Sequence, residues 1–433
     1  MSPQVKVFKF GGASLKDAEG IRNVGRIISS YANDNQLVVV VSAIGKTTNA
    51  LEDVVDAHAS GSGEAMERLN TVRDAHLSLA SDLLPDHHLA FPALNDAFVE
   101  IEWVLEESPY DNYDYMYDQI VSIGEVVSSL LVAAYLETIG IPAKWLDARD
   151  VIITDNHFRE GWVLWPQTRE RMERTVRPLI QSGGVLLTQG FIGSTTENFT
   201  TTLGREGSDY TAAIFSFCLD AEDMTIWKDV PGVLTADPRL FENVSKLDKL
   251  SYREAIEMTY YGAKVIHPKT IKPLQNKSIP LHVKSFLHPS EPGTIISSDV
   301  EDHYPPMVAI ESSQALLHIA TRDFSFVAEH HLSQLFQKMA DLRLQVNMMQ
   351  NNAISFAVVV TDFAGRVDEF VQSIDHDFKV LIDRDLELIT IRHALDSVLD
   401  ELKKGRIILL EERSRNTIQM VVKEAPVITR KPR

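Results

Sequence analysis

The sequence is poor in cysteine, lacks long apolar runs and has fewer positive than negative charges, and each shortage excludes a class of protein. One of its 433 residues, Cys218, is a cysteine, which excludes an internal disulfide bond. Because Cys218 lies in an apolar helical pattern, we expect it to be a core residue and not a nucleophile. No apolar run approaches the length of a membrane span, so we expect no membrane association.

The charge balance argues against nucleic acid as a partner. Lys and Arg number 42 and Asp and Glu number 61, which gives a net charge of −19, and such a chain repels nucleic acid on average. An anionic substrate must then be held by a local group of basic side chains or backbone amides. The 14 histidines show no ligand spacing, and we predict no metal site from them. The first strand pattern, Val5–Phe10, begins almost at the N-terminus, so we expect no signal peptide and a cytoplasmic location.

The stretch VVVSAIGKTT, residues 39–48, ends in Gly-Lys-Thr and raises the question of a P-loop. A P-loop has another glycine five residues before its Gly-Lys pair, and that position is Val40. Valine cannot supply the turn that lets successive N–H groups wrap a phosphate, so we reject the P-loop. Residues 37–41 instead favour a buried parallel strand, and ligands in such sheets bind beyond the carboxyl ends of the strands. The loop 45–49 is therefore a candidate ligand contact.

The first 300 residues alternate short apolar runs with longer helical patterns. Strands are predicted at 5–10, 37–42, 143–146, 184–190, 223–228 and 281–284. Helices are predicted at 21–31, 118–139, 208–218 and 251–262, and residues 50–117 have a helical, acidic pattern. This alternation predicts a mostly parallel sheet covered by helices on both faces. Ser251 and Glu254 form a capping-box pattern at the start of their helix.

The segment 288–306 is rich in Pro, Ser and charge and predicts a domain boundary. Beyond it we predict strands and helices at 315–320, 330–340, 344–349, 354–361 and 366–373, and a shortened repeat at 386–391, 394–404, 407–412 and 417–423. Two small βαββ units in tandem are typical of ferredoxin-like modules. The predicted domains are therefore 1–300, 306–385 and 386–433.

The loop KFGGAS, residues 9–14, is suited to phosphate binding. Gly11 and Gly12 let the backbone approach a phosphate closely. Lys9 can place a point charge on it. Ser14 can cap the next helix, whose N-terminus favours anions.

Two later segments have polar residues where strands end or helices begin. In TTLGREGSDYTAA, residues 201–213, Arg205 offers a planar fork for a carboxylate or phosphate. Asp209 sits where a helix starts, and it is either a helix cap or a carboxylate that orders Mg²⁺, a lysine or the attacking group. The turn WKDVPG, residues 227–232, either holds a nucleotide or is a connection without a ligand.

Six segments in this order closely resemble the aspartate kinases of the amino-acid kinase superfamily. They are KFGGAS, VVVSAIGKTTN, SIGEVVSS, TTLGREGSDYTAA, WKDVPGVLTADPR and GAKVIHP. The resemblance covers residues 5–300, and the C-terminal units resemble the ACT regulatory domains of these enzymes. It implies an αβα three-layer sandwich followed by tandem ferredoxin-like ACT units. It also implies phosphorylation of the β-carboxylate of L-aspartate to 4-phospho-L-aspartate, towards lysine, threonine and methionine, with ATP and Mg²⁺ as cofactors.

The resemblance also implies a role for each site residue. Lys9 and Asp209 are the catalytic residues. Acceptor contacts are expected at Thr48, Glu125, Arg205, Gly207 and Ser208. Nucleotide contacts are expected at Lys9, Gly11, Gly12, Ser14, Lys228, Asp229, Leu234, Arg239, Lys264 and Val265. An effector amino acid, lysine or threonine, is expected at Thr321, Asp323, Phe324 and Asn347, and the ACT-like region is expected to join a homodimer.

Several residues depart from the family pattern. Ala13 replaces a common Ser or Thr, Glu206 a common Gly, Lys228 a frequent Thr and Leu234 a frequent Tyr. Because the charged set at Lys9, Glu125, Arg205 and Asp209 is complete, we expect an active enzyme with altered nucleotide contacts. Asp323 and Asn347 replace the usual effector residues, and this weakens the case for a cationic effector.

Two other functions stay open from sequence alone. One is an amino-acid kinase that phosphorylates glutamate or carbamate, against which the ACT-like tail and the pair Glu125 and Arg205 argue. The other is a non-catalytic amino-acid sensor with the kinase fold, against which the complete charged set argues.

Overall fold

The two parts of the chain that the sequence separates near residue 300 are built on two different kinds of sheet. The computed structural model describes residues 4–32, 36–110, 112–262, 266–298, 300, 303–323, 325–363 and 365–424. The chain divides into two units. The first comprises Met1–Val233, Lys246–Ile256 and Val265–Glu301, and the second comprises Leu234–Ser245, Glu257–Lys264 and Asp302–Arg433.

The first unit has a mostly parallel sheet, as the alternating pattern predicts. Its described strands are β1 (Val5–Phe10), β2 (Gln36–Val41), β3 (Ala143–Leu146), β4 (Val185–Gln189), β5 (Ile192–Ser194), β6 (Thr200–Thr202), β7 (Asp223–Lys228), β8 (Lys249–Ser251), β9 (Leu281–Ser285) and β10 (Thr294–Ser297). Eight of them form one sheet in the order β3-β4-β2-β1-β7-β9-β10-β8, and β5 pairs with β6 separately. Within the large sheet only β9 and β10 are antiparallel neighbours among the described strands. The central strands are buried on both faces, which explains the unbroken valine run of β2.

The described helices before residue 300 overlap the predicted helical segments, except those at residues 165–171, 177–181 and 268–276, which were not predicted. They are α1 (Ala18–Ala32), α2 (Thr47–Ala59), α3 (Ala65–Leu83), α4 (Ala90–Glu106), α5 (Tyr113–Thr138), α6 (Trp165–Arg171), α7 (Arg177–Gln181), α8 (Gly207–Leu219), α9 (Tyr252–Tyr260) and α10 (Pro268–Asn276). Helices α5 and α8 both contact the central strand β2. The buried thiol of Cys218 lies on α8, as expected, and burial raises its pKa to about 11.

Helix α5 corrects one expectation from the sequence. Its 26 residues are long and apolar enough to cross a membrane by length and composition, although no run of that length was expected. However, 89% of its most apolar window is buried inside the structure. We conclude that α5 is a core helix, and its inward face is available to build a site.

The second unit contains an antiparallel sheet of two βαββ-like halves. Its elements are β11 (Met307–Thr321), α11 (Glu329–Asp341), β12 (Val346–Asn351), β13 (Ser355–Thr361), α12 (Arg366–Ile374), β14 (Phe378–Arg392), α13 (Asp396–Lys403), β15 (Arg406–Arg413) and β16 (Thr417–Glu424). The strand order is β12-β13-β11-β14-β16-β15. The predicted strands 315–320 and 386–391 are only parts of β11 and β14, which pair along most of their 15-residue lengths.

The pairing of these two long strands is irregular near their middle. The register of β11 against β14 shifts around Gln314. Ser313 and Asp385 have φ of +58° and +57°, which is the left-handed geometry of a bulge. Each long strand thus contributes to both halves of the sheet.

Local capping was predicted correctly at one helix and wrongly at another. The Glu254 N–H donates to the Ser251 hydroxyl at 3.1 Å, as the capping pattern requires. Ser14, by contrast, lies in a short 3₁₀ turn, and its buried hydroxyl has no hydrogen-bond partner among the described residues. Asp17 caps α1 instead, accepting the Gly20 N–H at 2.8 Å.

Candidate active site

The carboxyl ends of β1 and β2 bring the first two predicted loops together. The strands are parallel, with Lys9 opposite Val40. A Cβ on Gly12 would lie 2.7 Å from the carbonyl oxygen of Ala43. The Gly45 N–H donates to the Gly12 carbonyl oxygen at 3.1 Å, and Gly45 has φ of +54°. Glycine is therefore required at one position for close approach and at the other for left-handed backbone.

Lys9 and Asp209 form a buried ion pair. Lys9 Nζ lies 2.6 Å from Asp209 Oδ1, with the side chains 12% and 4% exposed. Burial alone would raise the pKa of Asp209, but the positive charges of Lys9 and Lys228 hold it below its ordinary value. Glu206, not Asp209, is the N-cap residue of α8. Of the two roles left open for Asp209, the structure therefore favours the ordering of a lysine.

Glu125 is a buried carboxyl group with one unsatisfied oxygen. It lies on α5 and is 3% exposed. Its Oε2 has no hydrogen-bond partner among the residues that the structure describes. Burial raises its pKa to about 8, although the Ala43 N–H and the charge of Lys9 oppose the shift. An unsatisfied buried acceptor at a cavity is suited to a ligand ammonium group.

A cavity of about 480 Å³ brings most of the predicted acceptor-site residues together. Its lining includes Lys9, Gly12, Thr48, Glu125, Arg205, Gly207, Ser208 and Asp209. Arg205 is exposed, and it has no ion-pair partner in the described part of the chain. The cavity thus combines an uncommitted guanidinium group, an unsatisfied carboxyl oxygen and a lysine. This set can bind a zwitterion that has a second anionic group.

The cavity has four further lining residues that the sequence did not indicate: Glu52, Tyr117, Arg159 and Phe191. The guanidinium group of Arg159 lies 4.1 Å from the ring centroid of Tyr117, and its Nη2 lies 3.3 Å from Glu52 Oε1. Tyr117 is eight residues before Glu125 on α5, so helical spacing could have found it. Arg159 lies in an irregular loop, which has no periodic signal.

The predicted nucleotide residues fall in different parts of the chain. A Cβ on Gly11 would lie 3.4 Å from Lys9 Nζ, so this glycine borders the ion pair. Lys228 ends β7, the parallel neighbour of β1, and Asp229 follows it. Leu234 and Arg239 belong to the second unit. Lys264 and Val265 lie outside the described residues.

The second unit has a cavity of about 420 Å³ beside two predicted effector residues. Its lining includes Thr321, Asp323, His330, His331 and His376. Asn347 is not part of this lining. Its amide nitrogen donates to Gln314 Oε1 at 2.7 Å and to Thr361 Oγ1 at 2.9 Å. Phe324 lies outside the described residues.

Comparisons with known proteins find relatives over most of the chain. The profile of the amino acid kinase family matches residues 4–285. Aspartokinase 1, chloroplastic, of Arabidopsis thaliana is 30% identical over 415 residues, covering 93% of this chain and 68% of that protein. Lysine-sensitive aspartokinase 3 of Escherichia coli strain K12 is 32% identical over 367 residues, covering 82% of this chain and 78% of that protein.

Solved structures of one enzyme resemble the whole chain. Escherichia coli aspartokinase III in complex with aspartate and ADP, in its R-state, has a TM-score of 0.83 and 26% identity, covering 97% of this chain and 96% of that one. The same enzyme with lysine and aspartate, in its T-state, has a TM-score of 0.80 and 26% identity, covering 96% of this chain and 95% of that one.

Proposed function

This chain belongs to the amino acid kinase family and is an aspartate kinase, and on that premise we propose how its residues divide the reaction. The observation that supports the proposal is the cavity in which Glu125, Arg205 and the Lys9–Asp209 pair meet. Glu125 accepts hydrogen bonds from the α-ammonium group of L-aspartate, and Arg205 binds the α-carboxylate through its planar fork. The β-carboxylate then faces Lys9. The remaining acceptor contacts are Thr48, Gly207 and Ser208.

The chemical step is an in-line attack of the β-carboxylate on the γ-phosphorus of ATP. A bond forms between a carboxylate oxygen and phosphorus, the bond from phosphorus to the bridging oxygen breaks, and ADP leaves with the electron pair. A carboxylate is already ionised at neutral pH, so the step needs positioning and no general base. Both reactants are anions, and Lys9 stabilises the charge that develops on the phosphoryl oxygens. Asp209 holds the ammonium group of Lys9 in place through the 2.6 Å ion pair.

Mg²⁺ is proposed to enter with the nucleotide. No group of three or more His, Cys, Asp or Glu side chains that could hold a metal ion occurs among the described residues. Mg²⁺ in phosphoryl-transfer sites is commonly held by one or two carboxylates together with substrate phosphates. The donors present fit this arrangement, with Asp209 as the protein carboxylate. When bound, the ion would neutralise charge on the β- and γ-phosphates.

ATP binds as the phosphoryl donor, and its individual contacts are part of the proposal. We assign those within the first unit to Gly11, Gly12, Ser14, Lys228 and Asp229, and Leu234, Arg239, Lys264 and Val265 stay predictions from the sequence. We also propose domain limits of 1–300, 306–385 and 386–433, as the sequence predicts. We also propose a cytoplasmic enzyme.

We propose an amino-acid effector for the ACT-like region as well, and a homodimer joined through this region. Thr321 and Asp323 border the 420 Å³ cavity, which supports an effector at that place. Escherichia coli aspartokinase III has been solved with lysine bound in its T-state. Lysine and threonine are therefore the first effectors to test.

A coupled assay of ADP release tests the activity and its main rival. L-aspartate, L-glutamate and bicarbonate with ammonia are compared as acceptors at equal concentrations with ATP and Mg²⁺. We expect ADP release with L-aspartate and the product 4-phospho-L-aspartate, trapped as its hydroxamate. Faster turnover with L-glutamate or carbamate would assign the chain to another amino-acid kinase, and no turnover with any acceptor would favour the sensor.

A further inference from the structure

Asp118 is a buried carboxylate that none of the roles above uses. It lies on α5 seven residues before Glu125, which places both on the same face of the helix, and it is 0% exposed. Its Oδ2 accepts the backbone N–H groups of Arg159 and Thr202, both at 2.9 Å. Its Oδ1 accepts the hydroxyl of Thr202 at 2.7 Å. Three donors, one from the Arg159 loop and two from the end of β6, thus converge on one side chain.

These hydrogen bonds join α5 to the two loops that supply arginines to the cavity. Thr202 ends β6 and precedes Arg205 by three residues. The Gly161 N–H donates to the Thr202 carbonyl oxygen at 2.8 Å, so the two loops are also joined to each other. Arg159 has φ of +65°, a conformation that non-glycine residues rarely adopt. Such a conformation persists where its surroundings hold it in place, and Asp118 accepts the N–H of this residue.

The two arginines of the cavity are in different electrostatic situations. Arg159 lies 3.3 Å from Glu52 and 3.6 Å from Asp114, so carboxylates already neutralise it. Arg205 has no ion-pair partner among the described residues, and it is available to an anionic ligand. Arg159 therefore belongs to the wall of the cavity, and Arg205 to its ligand-binding groups.

We propose that Asp118 is a positioning residue of the acceptor site, which holds the Arg205 loop against α5 so that the guanidinium group meets the α-carboxylate of aspartate. This inference rests on the proposed function for the roles of Arg205 and Glu125 in binding aspartate. Holding the Arg205 loop against α5 also fixes the distance between Arg205 and Glu125. Glu125, the proposed partner of the α-ammonium group, lies on the same helix as Asp118. One rigid element then sets the positions of the groups that bind both ends of the α-amino acid moiety.

The test compares Asp118→Ala with Asp118→Asn. An asparagine can keep all three contacts, because its oxygen accepts the two N–H groups and its amide can donate to the Thr202 hydroxyl. We expect Asp118→Ala to raise KM for aspartate about tenfold or more, with KM for ATP changed less than about twofold. Asp118→Asn should restore KM to within about threefold of the wild type. In Asp118→Ala, hydrogen exchange should accelerate at the amides of Arg159 and Thr202.

The acceptor analogue β-alanine, which is aspartate without its α-carboxylate, separates positioning from general damage. Its inhibition constant should be almost the same in the wild type and in Asp118→Ala, because it has no group for Arg205 to bind. Arg205→Ala measured with the same pair of ligands tests the premise separately. If Arg205→Ala weakens β-alanine as much as aspartate, the assigned role of Arg205 is wrong. If Arg205→Ala weakens aspartate more than β-alanine but Asp118→Ala weakens both ligands equally, the positioning role of Asp118 is wrong.

Two further variants separate the positioning role from a general loss of stability. Asn112 caps the same helix by accepting the Tyr115 N–H at 3.1 Å, so Asn112→Ala should lower Tm without changing either KM. Thr202→Val removes only the hydroxyl contact at nearly constant shape, and it should raise KM for aspartate by a few fold even if Asp118→Ala does not fold. Unchanged KM for aspartate in Thr202→Val and in any soluble Asp118→Ala would overturn the proposal.

Discussion

Lys9 carries the charge that is proposed to stabilise the phosphoryl transfer, and it gives the first prediction. Its ammonium group is held by Asp209 at 2.6 Å in a largely buried place, where water screens charge poorly. Lys9→Met keeps most of the side-chain volume and removes the charge. We expect kcat to fall by roughly a hundredfold or more, as for other preorganised electrostatic groups. A variant that keeps over half of the wild-type kcat would show that Lys9 does not stabilise the transferred group.

Arg205 gives a prediction about substrate binding. Arg205→Ala should raise KM for aspartate about 10- to 100-fold, because a hydrogen-bonded charge pair contributes about 1.5–3 kcal/mol. KM for ATP should change little. Arg205→Lys should recover only part of the loss, because a lysine lacks the planar fork. Equal increases in both KM values would instead indicate a nucleotide role for this residue.

Glu125 gives a prediction about pH. Burial raises its pKa to about 8, so the carboxyl group is mostly protonated at neutral pH, whereas an ammonium ligand needs it ionised. Raising the pH from 6.5 towards 8 should therefore lower KM for aspartate, by up to about tenfold per pH unit, and the effect should level off above the pKa. Binding at neutral pH should release a proton, which calorimetry in two buffers of different ionisation enthalpy can count.

The control for this pH effect is Glu125→Gln. It should bind aspartate weakly and show no such pH dependence below 8. A wild-type KM that stays constant between pH 6.5 and 8 would contradict the assigned ammonium contact.

At the scale of secondary-structure elements, the packing of β4 against α8 gives the fourth prediction. A Cβ on Gly190, just after β4, would lie 2.6 Å from Ser208 Cα, so alanine there must displace the first turn of α8. That turn carries Asp209. We expect Gly190→Ala to lower stability by about 1–3 kcal/mol and to lower kcat as well, because the partner of Lys9 moves.

The matched control for Gly190 is Gly61→Ala. Gly61 has φ of +65°, and no atom of the described residues lies within 4 Å of the added methyl group, so alanine costs about 1 kcal/mol through backbone strain alone. Its Tm should fall while kcat stays at the wild-type value. Equal kcat in the two variants would mean that Gly190 does not position α8.

The helices and strands that were predicted correctly are those whose apolar sequence pattern is uninterrupted. The valine run of β2 and the apolar helix α5 are continuous apolar segments, and both were predicted. The strands β11 and β14 were both predicted too short. In β11 the polar residues Glu311–Gln314 interrupt the apolar alternation where its register against β14 shifts. No local pattern shows that such an interrupted stretch continues as one strand.

At the scale of the whole molecule, the candidate site could be predicted where it depends on short motifs, and not where it depends on tertiary contacts. The glycine loops, Arg205 and Asp209 lie in recognisable segments. Asp118 appears in sequence only as a polar residue within an apolar helix, and its function follows from two loops 41 and 84 residues away. Arg159 has no signal at all, since an arginine in a loop is normally solvated.

Regulation of the whole molecule gives the fifth prediction. A bound lysine brings two ammonium groups out of water, and each then needs an acceptor. Asn347 does not line the cavity, and its amide nitrogen donates to Gln314 and Thr361. Asp323 lines the cavity, but its Oδ1 already accepts the Ser325 N–H at 3.0 Å. Charge-assisted hydrogen bonds are about twice as strong as neutral ones, so we expect lysine to inhibit weakly or not at all.

The measurement is a titration of lysine and threonine, singly and together, at subsaturating aspartate, with light scattering to determine the size of the assembly. Inhibition requires an effector that binds one state of the enzyme better than another, so a site that binds lysine weakly cannot shift the states far. Half-inhibition of the wild type by lysine alone below millimolar concentration would contradict the weak-effector prediction. A monomeric mass in solution would contradict the homodimer, and with it any effector site that two copies of the ACT-like region have to complete.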